Sequence, residues 1–170
     1  MTRFFYRAGC GLRHREIIVA HMVPIYPQPV SGQIFRFQHR VSYSLCTVGN
    51  HVYHSRFLDV LEIARGEFLR ELGHSFASWQ ERDTIFPVIE CQLSFKGPAR
   101  YDDVLTVELW LTEAKGIRLT FACRILNAKG ALLVEGTTHH VCTSLHDKPK
   151  RLPAELTAAL APFVNTSTAQ

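Results

Sequence analysis

The chain has 170 residues, 46% hydrophobic and 20% charged, with a mean hydropathy of about zero, which fits one globular domain and excludes intrinsic disorder, collagen and coiled coil. The formal charge of +4 is uneven: residues 1–40 hold six Arg (3, 7, 13, 15, 36 and 40) against the single acid Glu16, so the rest is nearly neutral. A neutral body has no basic stripe for nucleic acid, and no apolar run reaches the ~18 residues of a membrane helix, so neither partner is expected.

Residues 1–32 read as an N-terminal extension or linker. They are Arg-rich, lack the unbroken apolar stretch of a secretory signal, and contain Pro24, Pro27 and Pro29. A native extension, an organelle transit segment and a start codon displaced to Met22 all remain open. Nothing catalytic is expected before residue 33. A domain over residues 33–164 and a tail over 165–170 follow.

Residues 34–46 alternate and predict a strand. The segment TVGN is a turn. A helix follows over 55–73, with Phe57, Leu61, Ala64, Phe68 and Leu72 in one stripe, widened by Leu58 and Leu69. Ser55 stands at the N-cap position and Gly73 at the glycine stop. Gly66, inside the helix, costs about 1 kcal/mol and points to close packing. Four strands then alternate in VIECQLSF (88–95), VLTVELWL (104–111), IRLTFACRI (117–125) and ALLVEGTTHHVCT (131–143). Their joints GPARYDD, EAKG and NAKG have turn composition, so consecutive strands form antiparallel hairpins. A short helix is expected over 153–163. The sequon at Asn165 carries no weight in an unsignalled chain. Five cysteines (10, 46, 91, 123 and 142), an odd count without CxxC spacing, indicate reduced, mostly buried thiols and a cytoplasmic location.

One long helix, apolar over much of its girth, needs a sheet around it. The expected fold class is therefore α+β, an antiparallel sheet wrapped around one long central helix.

The order of elements and the stretch VSYSLCTVGNHVYHSRFLDVLEIARGEFLRELG resemble the hot-dog fold acyl-CoA thioesterases of the 4-hydroxybenzoyl-CoA thioesterase type. Tyr43, His51, Val52, Tyr53, His54, Glu62, Arg65, Leu72 and Gly73 carry the match, and PARYDDVLTVE (98–108) resembles the family's strand-opening segment. The resemblance spans about residues 35–146. It implies an acyl thioesterase acting on acyl-CoA or an acyl-carrier-protein thioester, with no cofactor beyond the CoA or phosphopantetheine of the substrate. It also implies a homodimer or homotetramer with sheets joined edge to edge and the cleft at the dimer interface.

One departure bears on mechanism. Leu45 and Thr47 stand where the family has two Asp, the second of them its catalytic carboxylate. A threonine hydroxyl needs a base of its own. Asn50 replaces the family's Gly, and Gly49 precedes it. The resemblance puts the carbonyl-polarising donor at the backbone N–H of His54, at the helix start. Three routes to the missing base stay open. Glu62 can serve if burial raises its pKa; the alternative is that it pairs with Arg65 and orients the helix. Thr47 can hold a water while Arg65 supplies charge, a scheme resembling enediyne-polyketide thioesterases, although their helix Tyr falls on Phe57. His51 and Tyr53 are further cleft candidates. His139 and His140, on adjacent strand positions, point to opposite faces and make no paired metal site; HxxH at 51–54 lacks a third ligand. Arg100, Lys115, Arg118, Lys148, Lys150 and Arg151 are available for a CoA or carrier arm. A hot-dog protein that binds acyl thioesters without turnover is the alternative function. A hydratase would need a His and a carboxylate in local motifs that are not found.

Overall fold

A computed structural model describes residues 32–165 of the chain. The extension up to residue 31, Cys10 and most of the tail lie outside the described residues.

The elements are β1 (Phe35–Arg40), a 3-10 turn (Tyr43–Leu45), β2 (Cys46–Thr47), β3 (His51–Val52), α1 (Arg56–Glu71), α2 (Phe76–Glu81), β4 (Val88–Phe95), β5 (Val104–Lys115), β6 (Arg118–Leu126), β7 (Leu132–Val141), α3 (Ala154–Leu160) and a 3-10 turn (Ala161–Phe163). Five strands form one antiparallel sheet in the order β1-β5-β6-β7-β4. Short hairpins join β5, β6 and β7, whereas β4 crosses to the far edge and pairs with β7. The strands β2 and β3 form a separate small hairpin.

The apolar stripe of α1 lies against the sheet. Val60, Leu61, Ala64 and Phe68 are fully buried. Phe68 meets Phe35 from β1, Phe121 from β6 and Phe163 from the terminal turn, with ring centroids 5.1, 6.0 and 4.8 Å away. Each such buried side chain contributes about 1.5–3 kcal/mol. This is the hot-dog arrangement expected from the pattern.

Four expectations are corrected. The strand expected over 34–46 stops at Arg40, opposite Val104, where its partner β5 begins. Leu58 does not widen the buried stripe; it is exposed, and Val60 takes that role. Helix α2 has no counterpart in the sequence reading, since six residues are too few for a helical period to show. It is fixed locally: Ser75 accepts from the Ser78 N–H at 3.1 Å, and buried Trp79 stacks on His74. The cysteines are not mostly buried among the described residues: Cys123 and Cys142 are, whereas Cys46 is half-buried and Cys91 exposed.

Strand β4 forms an open edge. Val88, Ile89 and Phe95 are exposed there, although the alternation of VIECQLSF has the form of a half-buried strand. Glu108 on β5 is held by Arg36 at 2.9 Å and Arg124 at 2.6 Å. Among the described residues no helix is long and apolar enough to cross a membrane.

Candidate active site

The β2–β3 hairpin stands before α1 and fixes which side chains face outward. Its register pairs Cys46 with Val52 and Thr47 with His51. Val52 is buried and donates to the Ala99 carbonyl at 2.9 Å, which anchors the inner face. By alternation Thr47, His51 and Tyr53 share the other face, and all three are exposed. Residues directly opposed across an antiparallel pair have Cβ atoms about 4.5–5.5 Å apart on one face, so Thr47 and His51 are neighbours.

The turn needs left-handed backbone at Gly49 (φ 84°) and Asn50 (φ 57°). Glycine takes it freely, and asparagine is among the residues that tolerate it. The Asn50 carboxamide oxygen accepts from the Tyr101 N–H at 3.2 Å, and Arg100 Nη1 donates to the Gly49 carbonyl at 3.3 Å. The PARYDD segment therefore clamps the hairpin, and Asn50 is engaged in the clamp.

The start of α1 is open. Ser55 occupies the N-cap position but has helical backbone angles and makes no side-chain cap hydrogen bond, which corrects its expected capping role. Tyr53 donates to Leu45 and Arg56 to Tyr53, at 3.0 and 2.8 Å. The backbone N–H of His54 has no hydrogen-bond partner among the described residues. The positive end of a 16-residue helix thus carries an unused donor. Beside it the Tyr53 ring lies 4.2 Å from the His54 ring, and Phe95 of β4 lies 6.4 Å from His54 and 5.8 Å from Phe57. Tyr53, Phe95 and, one turn along the helix, Leu58 are exposed apolar side chains there.

Glu62 and Arg65 form a second cluster. Eight residues of helix put Glu62 about 12 Å along α1 from His54. The burial expected for Glu62 is absent: its side chain is 60% exposed, and it accepts from Arg65 Nη2 at 2.6 Å. Arg65 is only 4% exposed, and its Nη1 reaches Thr138 Oγ1 at 3.4 Å. Thr138 lies 3.0 Å from His140 Nε2, and His140 Nδ1 lies 3.0 Å from the Phe86 carbonyl. A carbonyl only accepts, so Nδ1 carries the proton, Nε2 accepts from Thr138, and Thr138 accepts from Arg65. This chain of donors runs through neutral His140. Burial, with the Arg65 cation adding to it, pushes its pKa down to about 4. Burial likewise pushes the Cys123 thiol up to about 12. A cavity of about 230 Å³ lies here, lined by Phe76, Ile85, Phe86 and His140 together with Glu62.

The predicted residues therefore separate. Tyr53 and His54 pack together at the helix start, Thr47 stands opposite His51 on the hairpin before it, Asn50 holds that hairpin in place, and Glu62 and Arg65 stand two to three turns along the helix. Sequence reasoning did not pair His51 with Thr47, although three residues containing Gly49-Asn50 between short strands is a hairpin signal. It also missed Thr138, whose spacing of two from His140 puts both on one face. His139 does face the opposite way, toward Thr120 and Thr137. No group of metal-ligating side chains occurs among the described residues. Of the six cations considered for a CoA arm, Arg100 alone adjoins the hairpin. Lys115 and Arg118 flank the turn at the other end of β5, roughly 35 Å off for twelve extended residues. Segment 148–151 lies at that far end too, where Leu152 donates to Gly116 at 2.7 Å.

The sequence pattern of the thioesterase-like superfamily matches residues 41–160. The chain belongs to that superfamily. It is 34% identical over 126 residues to the acyl-CoA thioester hydrolase YbgC of Escherichia coli, covering 74% of this chain and 94% of that protein. It superposes on the crystal structure of hypothetical protein TT1821 from Thermus thermophilus with a TM-score of 0.71 and 32% identity, over 75% of this chain and 98% of that one. Slr0204, a 1,4-dihydroxy-2-naphthoyl-CoA thioesterase from Synechocystis, superposes with the same TM-score at 26% identity, over 76% of this chain and 96% of that one. The hot-dog fold read from the sequence is thus the fold of these proteins.

Proposed function

We propose that this chain is an acyl thioesterase, acting on an acyl-CoA or acyl-carrier-protein thioester at the start of α1. Superfamily membership and the YbgC relative support thioester hydrolysis. The observation that carries the site is the His54 N–H, without a hydrogen-bond partner among the described residues, at a helix start with no side-chain cap and exposed apolar Tyr53, Leu58 and Phe95 around it. Such a donor stabilises the oxyanion that develops when a thioester carbonyl is attacked, and one donor is worth roughly 10²–10³ in rate. The acyl group lies along Tyr53, Leu58 and Phe95, and Arg100 meets the phosphates of the CoA or phosphopantetheine arm. That arm belongs to the substrate, and no further cofactor is invoked. The Glu62–Arg65 pair organises the helix.

The chain works as a homodimer, or a tetramer of such dimers, through the open β4 edge. Unpaired strand edges with exposed apolar side chains are closed by pairing, and β4 offers Val88, Ile89 and Phe95. Pairing at β4 puts Phe95 and the helix start that it contacts beside the interface.

A thiol-release assay over aromatic, short-chain and long-chain acyl-CoAs, with acyl-carrier thioesters beside them, tests the reading. Turnover of at least one class is expected. Absence of turnover on every thioester, with binding retained, would support the second reading, a non-catalytic acyl-thioester-binding protein. Thr47 at a carboxylate position is the feature that favours it.

A further inference from the structure

We infer that His51 is the general base of this site, acting on a water molecule held by the Thr47 hydroxyl. The inference rests on the thioesterase reading above and supplies the group that it lacks. Thr47 and His51 are direct partners across the β2–β3 pair and face the same way. Neither the Thr47 hydroxyl nor the His51 ring has a hydrogen-bond partner among the described residues. The hairpin beneath them is clamped at three points, by Val52 to Ala99, Arg100 to Gly49 and Tyr101 to Asn50.

Apart from His54, whose ring packs on Tyr53 at 4.2 Å, the other candidate bases are committed elsewhere. Glu62 is bound by Arg65 and stands about 12 Å along the helix. His140 is buried with both ring nitrogens occupied. His139 faces Thr120 and Thr137. Of the charged groups on the segment packed against the hairpin, Asp102 binds Arg40 and Asp103 accepts from the Arg100 N–H. Arg100 is the guanidinium at the turn, Tyr53 shares the outer face of the hairpin, and His54 follows at the helix start.

In the reaction, the water gives a proton to the imidazole as its oxygen bonds to the thioester carbonyl carbon. The His54 N–H takes the developing oxyanion. Collapse re-forms the carbonyl and breaks the C–S bond, and His51 returns the proton to the leaving thiolate. One thioester and one water become one carboxylic acid and one thiol.

The test compares the full-length wild type with His51→Gln, Thr47→Ala and the double variant Thr47→Asp/His51→Gln, on the best substrate of the thiol-release panel. His51 is exposed and without a partner, so the thermal midpoint of His51→Gln should match the wild type. Its kcat should fall 10²- to 10⁴-fold, the usual contribution of a general base, with the Kd for a non-hydrolysable acyl-CoA thioether unchanged. The acid limb of wild-type kcat/KM should vanish in His51→Gln. Thr47→Ala should lose about tenfold, the worth of one hydrogen bond to the water. The double variant should regain turnover, because its carboxylate replaces the base, with the acid limb moved into the carboxylate range. Wild-type rates and pH profile in His51→Gln would overturn the assignment and leave the thioesterase reading standing. Loss of thioether binding in His51→Gln would overturn it too, by making the residue a binding group. A wild type inactive on every thioester would overturn both.

Discussion

The Arg65 guanidinium is buried at 4% exposure, while the Glu62 carboxylate that it reaches at 2.6 Å is 60% exposed. The pair is therefore asymmetric: the cation depends on the anion far more than the reverse. Removing one partner of a buried charge leaves its donors unsatisfied, at a cost of about 1–3 kcal/mol. Glu62→Ala should lower stability by that amount in urea unfolding. Its kcat/KM should stay within a few-fold of wild type, because the carboxylate lies away from the helix start. A hundredfold loss of turnover with unchanged stability would instead put Glu62 in the chemistry.

His140 makes stability depend on pH. Its folded pKa is depressed from the ordinary 6.5 to about 4, so between those values the unfolded chain binds more protons. The stabilisation is present above pH 6.5 and is lost as pH falls toward 4. A separation of that size is worth about 3 kcal/mol. His39, also held down by burial, acts in the same sense. Urea midpoints should fall between pH 7 and 4.5 in the wild type, and His140→Gln should flatten that part of the curve. An equal slope in both proteins would refute the neutral relay.

Two glycines predict opposite outcomes. A Cβ at Gly66 would lie 3.6 Å from the Phe76 ring, an ordinary contact, so Gly66→Ala should gain about 0.5–1 kcal/mol from reduced chain entropy. A Cβ at Gly136 would lie 2.1 Å from the Gln92 carbonyl oxygen. No rotamer relieves a clash with backbone, so Gly136→Ala should separate β4 from β7 and cost about 3 kcal/mol or more. Thermal midpoints of the two variants check both signs.

The exposed edge gives a further test. Ile89 is 64% exposed on β4. Light scattering of the wild type at micromolar concentration should give a dimer or tetramer. Ile89→Lys puts a charge on the edge, which blocks strand pairing, and should give a monomer with unchanged far-ultraviolet circular dichroism. A monomeric wild type would remove the β4 interface from the proposed function.

Much of the fold was legible in local pattern. The 3.6-residue stripe through Leu61, Ala64 and Phe68 and the alternation in β5, β6 and β7 are set by which face must leave water. Those elements stand, except that β5 runs on to Lys115 through residues read as the EAKG turn; the other three turn segments fall where Gly, Asn and Asp collect. What failed depended on neighbours distant in sequence. The strand expected through residue 46 stops at Arg40 because its partner β5, more than sixty residues on, begins only at Val104. Glu62, placed on the buried helix by its sequence position, is on the solvent side, because which flank of a helix the sheet covers is a property of the packed pair.

The sequence by itself determined the order of the long helix and the main strands, the hot-dog class and the stretch that holds the candidate site, because periodicity, turn residues and a motif in VYHSRF through LREL are local. Only the tertiary structure decided which candidates meet. Helix rise separates Glu62 and Arg65 from the helix start, and hairpin register puts His51 beside Thr47. Pairing register and the clamp of residues 98–103 join segments some fifty positions apart, and no periodicity within either segment encodes their distance.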